Sequence, residues 1–356
     1  MTSCPVCDSH ELAEAVGRIL IVGFEGTEFS ELESLITGIR PAGLIFFKRN
    51  YPETDGPSSL RRLITAAQDM AQSCLGRRLF VAIDHEGGTV QRLPAPYVSL
   101  PSAQDAGAQS LGNALELAAK AGRELAATGF NFNLAPVLDV ASPVSTIMGT
   151  RCFSDNPERV ADYGRAVMEG YRNSGVLTCG KHFPGLGAAL IDPHHELPTV
   201  EIDHRRLMEV DLEPFRELVE NGLGAVMTTH ALYPVLDDMN PATFSSHIVE
   251  ILKKEMMFGG AVVTDDLEMG AVVKNYPMGE AAVSAVQAGH DLALVCRRAT
   301  YVEECAKALA SAALSGQISE ARLADAHERS SRLYENLESI WPEKSRLDVW
   351  FEELQG

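Results

Sequence analysis

Residues 176–183 read Val176-Leu177-Thr178-Cys179-Gly180-Lys181-His182-Phe183 and run directly into Pro184-Gly185-Leu186-Gly187-Ala188-Ala189-Leu190-Ile191-Asp192-Pro193-His194-His195-Glu196-Leu197-Pro198. An apolar run ends in a cation and an imidazole, then opens into a long stretch punctuated by Gly and Pro. This is the pattern of a strand whose far end carries ligand-facing polar residues and continues as a loop. Gly lets such a loop bend sharply, and Pro stops it becoming a helix. Asp192 and His194 stand two apart. In an extended or turned loop that spacing brings the carboxylate onto one imidazole nitrogen and leaves the other free to give or take a proton. Asp, Pro and Gly also serve turns that have no chemistry, so the rest of the chain has to decide.

Seven more runs of the same kind accompany it. With Leu177–Phe183, the candidate strands are Ile19–Gly23, Gly43–Phe47, Leu79–Asp84, Phe130–Ala135, Ala225–His230, Ala261–Asp265 and Asp291–Cys296. Between them lie helical patterns at Leu60–Cys74, Ala114–Ala127, Pro157–Arg172, Arg206–Glu220, Ser245–Glu255, Glu280–Ala288 and Thr300–Ser315, with a last helix near Ala321–Asn336. The strands are continuous apolar runs, as expected when both faces are buried. Eight strand–helix units predict an α/β fold, a (β/α)8 TIM-type barrel. An open doubly wound sheet would carry an early glycine-rich phosphate turn, and Gly23-Phe24-Glu25-Gly26 matches that poorly. No low-complexity linker divides the chain. A single domain is expected over residues 1–356, with its core at roughly 10–338. A tail at 339–356 carries Trp341 and Trp350. It should pack on the barrel exterior or make a dimer contact, so a monomer or weak homodimer is expected.

Composition narrows the function. A formal net charge of −19 makes nucleic acid an unsuitable partner, because a phosphate backbone calls for a basic face. The seven cysteines are odd in number and irregular in spacing, which argues against a secreted disulfide framework. Cys4 and Cys7 form a Cys-x-x-Cys beside His10, but a zinc site needs a second ligand pair and no matching motif follows. No metal is expected. The first apolar run, Ile19 to Gly23, is too short for a signal peptide, and no stretch approaches a membrane span. The expected setting is the cytoplasm, with no membrane contact.

In such a barrel, chemistry sits at the C-terminal strand ends and in the loops that follow. The third strand ends in Asp84-His85-Glu86-Gly87-Gly88, followed by Val90-Gln91-Arg92. The fourth carries Asn131 and Asn133 and runs on to Pro136 and Asp139. The fifth ends in Lys181-His182, the sixth in Thr228-Thr229-His230 and the seventh in Thr264-Asp265-Asp266. Random surface polarity would fall on helices as well, so five polar ends on one rim point to a site. Asp265 should face the barrel mouth, and Asp266 the other way. A carboxylate fixed on a strand end, facing an acid/base on a loop, is the arrangement for retaining glycoside hydrolysis. Arg92, Arg151, Lys181 and His182 would then donate to sugar hydroxyls, with Asp84 accepting.

These residues resemble family 3 glycoside hydrolases, specifically the single-domain bacterial β-N-acetylhexosaminidases of cell-wall recycling. Asp84-His85-Glu86-Gly87-Gly88-Thr89-Val90-Gln91-Arg92 is similar to the family's Asp-x-Glu-Gly-Gly-x-Val-x-Arg. Asn133-Leu134-Ala135-Pro136-Val137-Leu138-Asp139-Val140 resembles its fourth-strand motif, and Arg151-Cys152-Phe153-Ser154 its Arg-Ser-Phe-Ser segment. Lys181-His182-Phe183-Pro184-Gly185 with Asp192-x-His194 resembles its signature loop, and Thr264-Asp265-Asp266-Leu267-x-Met269 its nucleophile strand. The likeness spans roughly residues 10 to 335.

The resemblance implies roles. Asp265 aligns with the nucleophile, His194 with the acid/base and Asp192 with its dyad partner. Asp84, Arg92, Arg151, Lys181 and His182 align with contacts to the N-acetylglucosamine unit. The implied reaction removes non-reducing β-linked N-acetylglucosamine from muropeptides or chitin-type oligosaccharides, with no metal or cofactor. One departure stands out: many members read Gly-His-Gly-Asp where this chain has Gly185-Leu186-Gly187-Ala188. Contacts from that stretch are lost while the dyad remains. Three alternatives stay open on the residues: a phosphorylase, since an imidazole repels phosphate less than a carboxylate would, a β-glucosidase, and a sugar-binding relative without turnover.

Overall fold

The computed structural model describes residues 9–145 and 147–356. Eight parallel strands close into a barrel: β1 (Leu20–Val22), β2 (Gly43–Phe46), β3 (Phe80–Ile83), β4 (Phe132–Asn133), β5 (Leu177–Phe183), β6 (Ala225–Thr228), β7 (Ala261–Asp266) and β8 (Leu292–Val295). Each pairs with its sequence neighbours, and β1 pairs with β8 through Leu20–Ala293, Ile21–Leu294 and Val22–Val295. The expected fold class is the observed one.

The apolar runs are explained by what lies on either side of them. Phe80 and Ala82, Ala225 and Met227, Ala261 and Val263, and Leu292 and Leu294 fill the barrel interior together. The residues between them, such as Val81, Val226, Val262 and Ala293, lie in the clusters under the surrounding helices. Burial on both faces leaves no place for alternating polar residues. Leu333 and Leu337 from the helix Glu320–Ile340 join the interior cluster. The Arg329 guanidinium on that helix donates to the carbonyls of Phe258 and Gly260 just before β7. That helix therefore stops the N-terminal end of the barrel, leaving the C-terminal end for chemistry.

The last helix, Lys344–Gln355, lies on the outside, with Arg61 paired to Asp348 and stacked over Phe351. Cys4 and Cys7 lie outside the described residues. No described helix is long and apolar enough to cross a membrane.

Three segments differ from expectation. The fourth strand is regular only at Phe132–Asn133, and asparagine side chains add to its backbone bonds with the neighbouring strands. The Asn131 amide accepts from Val81 N–H and donates to the Leu79 carbonyl, and the Asn133 amide does the same for the two backbone groups of His85. The segment 206–220 is also not one helix. A π-helical turn at Leu207–Asp211 precedes the helix Glu213–Glu220, where Pro214 has no N–H to continue the earlier ladder. The segment 245–255 similarly widens into a π turn at Ile251–Glu255.

Candidate active site

The mouth of the barrel is built around Lys181, the last inward-facing residue of β5 before the ladder shifts between Lys181 and Phe183. Its ammonium lies 2.7 Å from Asp84 Oδ1 and 2.7 Å from Glu86 Oε1, with only 3% of the side chain exposed. Arg151 grips Glu86 with two parallel hydrogen bonds of 2.8 and 2.9 Å. Arg92 reaches Asp84 at 3.3 Å. Burial works to raise the pKa of both carboxyls, but Lys181 with Arg92 outweighs it at Asp84, and Lys181 with Arg151 outweighs it at Glu86, so both lie below the usual carboxylate range. Burial also works to neutralise Lys181, and the charges of Asp84 and Glu86 reverse that. Lys181, Asp84, Glu86 and Arg151 thus hold one another ionised, and with Arg92 they present donors and acceptors at the mouth.

His182 takes its orientation from Asp139. Its Nδ1 lies 2.6 Å from Asp139 Oδ2, while the other carboxylate oxygen accepts the Leu186 N–H at 2.6 Å and the His182 N–H at 3.3 Å. Arg151 Nη2 can only donate, and it faces His182 Nε2 at 3.4 Å. Nε2 is therefore the acceptor and Nδ1 carries the proton given to Asp139. Asp139 ties the end of β5 to the loop beyond it. That loop turns at Gly185, where φ is +126° and a side chain would meet the Asp211 Cβ at 2.8 Å. Leu186 and Ala188, the two departures from the family pattern, are buried in the cluster around Phe183 and Phe215. This chain fills that stretch with aliphatic packing.

Asp265 continues the inward series of Ala261 and Val263 and so faces the mouth. Its Oδ1 accepts the Asp266 N–H at 2.8 Å. Asp266 turns outward and accepts from the amides of Glu268 at 3.0 Å and Cys296 at 3.2 Å, stapling β7 to β8. Behind them, His230 Nε2 donates to the Asp266 carbonyl at 2.9 Å and its Nδ1 lies 2.6 Å from Thr243 Oγ1. Burial lowers the His230 pKa; Asp265 opposes this, while His194 and His182 add to it. One buried imidazole thus feels Asp265, His182 and His194 together.

Burial first, then the nearby charges of Glu268 and Asp265, push the Asp266 carboxyl up to about 7. Its folded pKa exceeds its ordinary value of 3.8, so the folded chain binds the extra proton between about pH 4 and pH 7. Its contribution to stability is full below that window and is lost as pH rises through it. Asp266→Asn keeps an acceptor for both amides and removes the titration. Its melting temperature relative to the unaltered chain should rise by several degrees between pH 5 and pH 8, and a difference independent of pH would remove this assignment.

Asp192 and His194 stand on an exposed turn. His194 Nδ1 lies 2.8 Å from Asp192 Oδ1, which also accepts the His194 N–H at 2.9 Å. Partial burial works to raise the Asp192 pKa, but these two hydrogen bonds outweigh it and hold the carboxyl below its usual range. The dyad faces solvent, whereas the Lys181 network is buried.

All eight sequence-derived residues therefore fall at the barrel mouth or on the loop over it. Sequence reasoning placed Glu86 and Asp139 on the rim without giving them roles. Their signal was present in the alternation Asp84-x-Glu86 and in the polar Asp139 after an apolar run. His230 was legible only as a polar strand end. Among the described residues no three His, Cys, Asp or Glu side chains are grouped to hold a metal ion.

The chain is similar to known proteins over most of its length. Residues 12–333 match the glycosyl hydrolase family 3 N-terminal domain. A protein of Alkalilimnicola ehrlichii named beta-hexosaminidase is 35% identical over 345 residues, 94% of each chain. The structure of a glycoside hydrolase family 3 β-N-acetylglucosaminidase from a Paenibacillus species superposes with a TM-score of 0.89 at 36% identity, covering 96% of this chain and 68% of that one. A β-N-acetylhexosaminidase from Beutenbergia cavernae gives 0.82 at 31% identity, over 90% of this chain and 97% of that one. The chain belongs to glycosyl hydrolase family 3, and it is a glycoside hydrolase built on a single (β/α)8 barrel.

Proposed function

We propose that this chain is a retaining exo-β-N-acetylglucosaminidase that works through a covalent glycosyl–Asp265 intermediate, with His194 as acid/base and Asp192 as its orienting partner. The names of its relatives support the activity. The observation that supports the mechanism is that the turn bearing the Asp192–His194 pair is tied to the segment after the β7 end that carries the inward carboxylate. The main chain at Pro193 and His194 accepts hydrogen bonds from residues 271 and 270, a few positions beyond Asp265.

In the first step the Asp265 carboxylate forms a bond to the anomeric carbon as the bond to the leaving oxygen breaks. His194 gives its Nε2 proton to that oxygen. Asp192, on Nδ1, orients the ring for this transfer. In the second step His194 removes a proton from water. The water oxygen bonds to the anomeric carbon, and the ester to Asp265 is released. Two inversions give net retention. Asp84, Arg92, Arg151, Lys181 and His182 hold the sugar while this happens.

The substrate class is N-acetylglucosamine-containing oligosaccharides such as muropeptides, in the cytoplasm. The free thiols Cys74, Cys152, Cys179, Cys296 and Cys305 suit a reducing compartment. The proposed working form is a monomer or weak homodimer.

Product analysis on such oligosaccharides, with and without inorganic phosphate, tests this reading. Free N-acetylglucosamine of retained configuration is expected in both cases. The 1-phosphate would mark a phosphorylase, equal turnover of glucosides lacking the acetamido group a β-glucosidase, and binding without release a non-catalytic relative.

A further inference from the structure

The turn that carries the dyad is held by few contacts. At its base, Leu186 and Ala189 are buried in the core. At its exit, Val200 N–H donates to the Leu232 carbonyl and Leu232 N–H to the Pro198 carbonyl. Between these anchors, Asp192 to Glu196 form a tight turn in which the Asp192 carbonyl accepts from the amides of His195 at 2.9 Å and Glu196 at 3.2 Å. Among the described residues, main-chain atoms 190–197 make two hydrogen bonds outside their own segment. Gly270 N–H donates to the His194 carbonyl at 3.1 Å, and Ala271 N–H to the Pro193 carbonyl at 3.0 Å. Both donors are buried and lie a few residues beyond the β7 end that carries Asp265.

The approach is too close for any side chain at position 270. A Cβ there would lie 2.5 Å from the His195 carbonyl oxygen and 2.6 Å from that of His194. Both obstacles are main-chain atoms of the dyad turn, not the movable end of a side chain. The φ angle at Gly270 is not in the left-handed region, so glycine is needed here for space and not for backbone conformation.

We infer that Gly270 is a positioning residue: its bare backbone is the seat on which the Asp192–His194 turn rests, and it sets the reach from His194 to the bond that Asp265 attacks. This rests on the acid/base reading given above. A methyl group at 270 would lift the turn and break both hydrogen bonds, while Asp265 and the Lys181 network stay in place. The consequence is specific to proton transfer. A leaving group that needs protonation loses His194, whereas an activated aryl leaving group does not need it.

The test compares Gly270→Ala and His194→Ala with the unaltered chain, using kcat/KM on two β-N-acetylglucosaminides: an unactivated chitobiose-type disaccharide and the 2,4-dinitrophenyl glycoside. kcat/KM reports the steps up to formation of the glycosyl–enzyme, so the later water step does not interfere. The ratio of the two values on one preparation is independent of how much of it is folded. For Gly270→Ala the disaccharide value should fall about 10- to 100-fold and the dinitrophenyl value less than about threefold, a partial form of the roughly 100-fold or larger selective loss expected of His194→Ala. Selective loss in His194→Ala with an unchanged or uniformly lowered pair in Gly270→Ala would overturn the positioning role and leave the dyad standing. Uniform loss in His194→Ala would overturn both.

Discussion

Asp265→Asn should lower kcat/KM on the order of 10^4-fold or more, because no other carboxylate on β7 faces the barrel mouth. Its neighbour Asp266 cannot substitute, since it turns outward and is engaged by the amides of Glu268 and Cys296. The change is nearly isosteric, and the amide oxygen still accepts the Asp266 N–H now held at 2.8 Å. Fold and sugar affinity should therefore survive. The measurements are steady-state turnover of an aryl β-N-acetylglucosaminide and binding of free N-acetylglucosamine to the same variant. Binding within several-fold of normal with turnover lost is the expected pair. Quenching the unaltered chain during turnover should also reveal a protein species heavier by one N-acetylhexosamine unit, with the label on the peptide holding Asp265. Substantial turnover in Asp265→Asn, or a label elsewhere, would remove the nucleophile assignment.

Lys181→Met should damage both stability and binding. The methionine fills most of the lysine volume but leaves Asp84 and Glu86 without the ammonium now 2.7 Å from each. Breaking a buried ion pair by removing one partner costs about 3–5 kcal/mol. Arg92 and Arg151 keep their own contacts with these acids, which places the expected loss near the lower end. The pH dependence has a definite sign. In the unaltered chain both carboxyls have depressed pKa values, so their contribution to stability is present above the ordinary carboxylate range and lost as pH falls through the folded values. Without Lys181 the two buried acids take up protons more readily, and that relief is largest in mild acid. The deficit of Lys181→Met in thermal unfolding should therefore be smaller at pH 5 than at pH 8. KM should rise along with it. A deficit that does not change with pH would mean that Lys181 does not hold these acids ionised.

Most of the fold was legible because it depends on local properties. A strand buried on both faces must be continuously apolar, and a strand end at a solvent-filled mouth is where polarity can return. Five of the eight runs end in such polar residues. The fourth strand shows where local reading fails. Phe130–Ala135 has the composition of a longer strand, yet it is regular only at Phe132–Asn133, and the Asn131 and Asn133 amides add side-chain bonds to those of the backbone. Whether an asparagine adds such bonds depends on which backbone groups the neighbouring strand offers.

The site divides in the same way. Asp192 and His194 were readable as a pair because their contact lies within one turn, and Asp265 because strand parity continues the alternation of Ala261 and Val263. The departure at Leu186 and Ala188 was visible in the sequence, but its consequence was not. Only packing against Phe183 and Phe215 turns it into a buried apolar base for the loop. Glu86 and Asp139 were visible on the rim, but their partners were not, since each partner lies on a different strand or loop.

By itself, then, the sequence determined a (β/α)8 barrel, the rim that carries the chemistry, and the residue types available for cleaving a glycosidic bond. These follow from burial, parity and turn composition, which act over a few residues. Tertiary structure alone decided that Lys181 is shared by Asp84, 97 positions away, and by Glu86, that Asp139 sets the tautomer of His182, and that the dyad turn sits on Gly270. Those relations exist only once the barrel closes, because closure brings onto one small rim charges and amides that the chain keeps far apart.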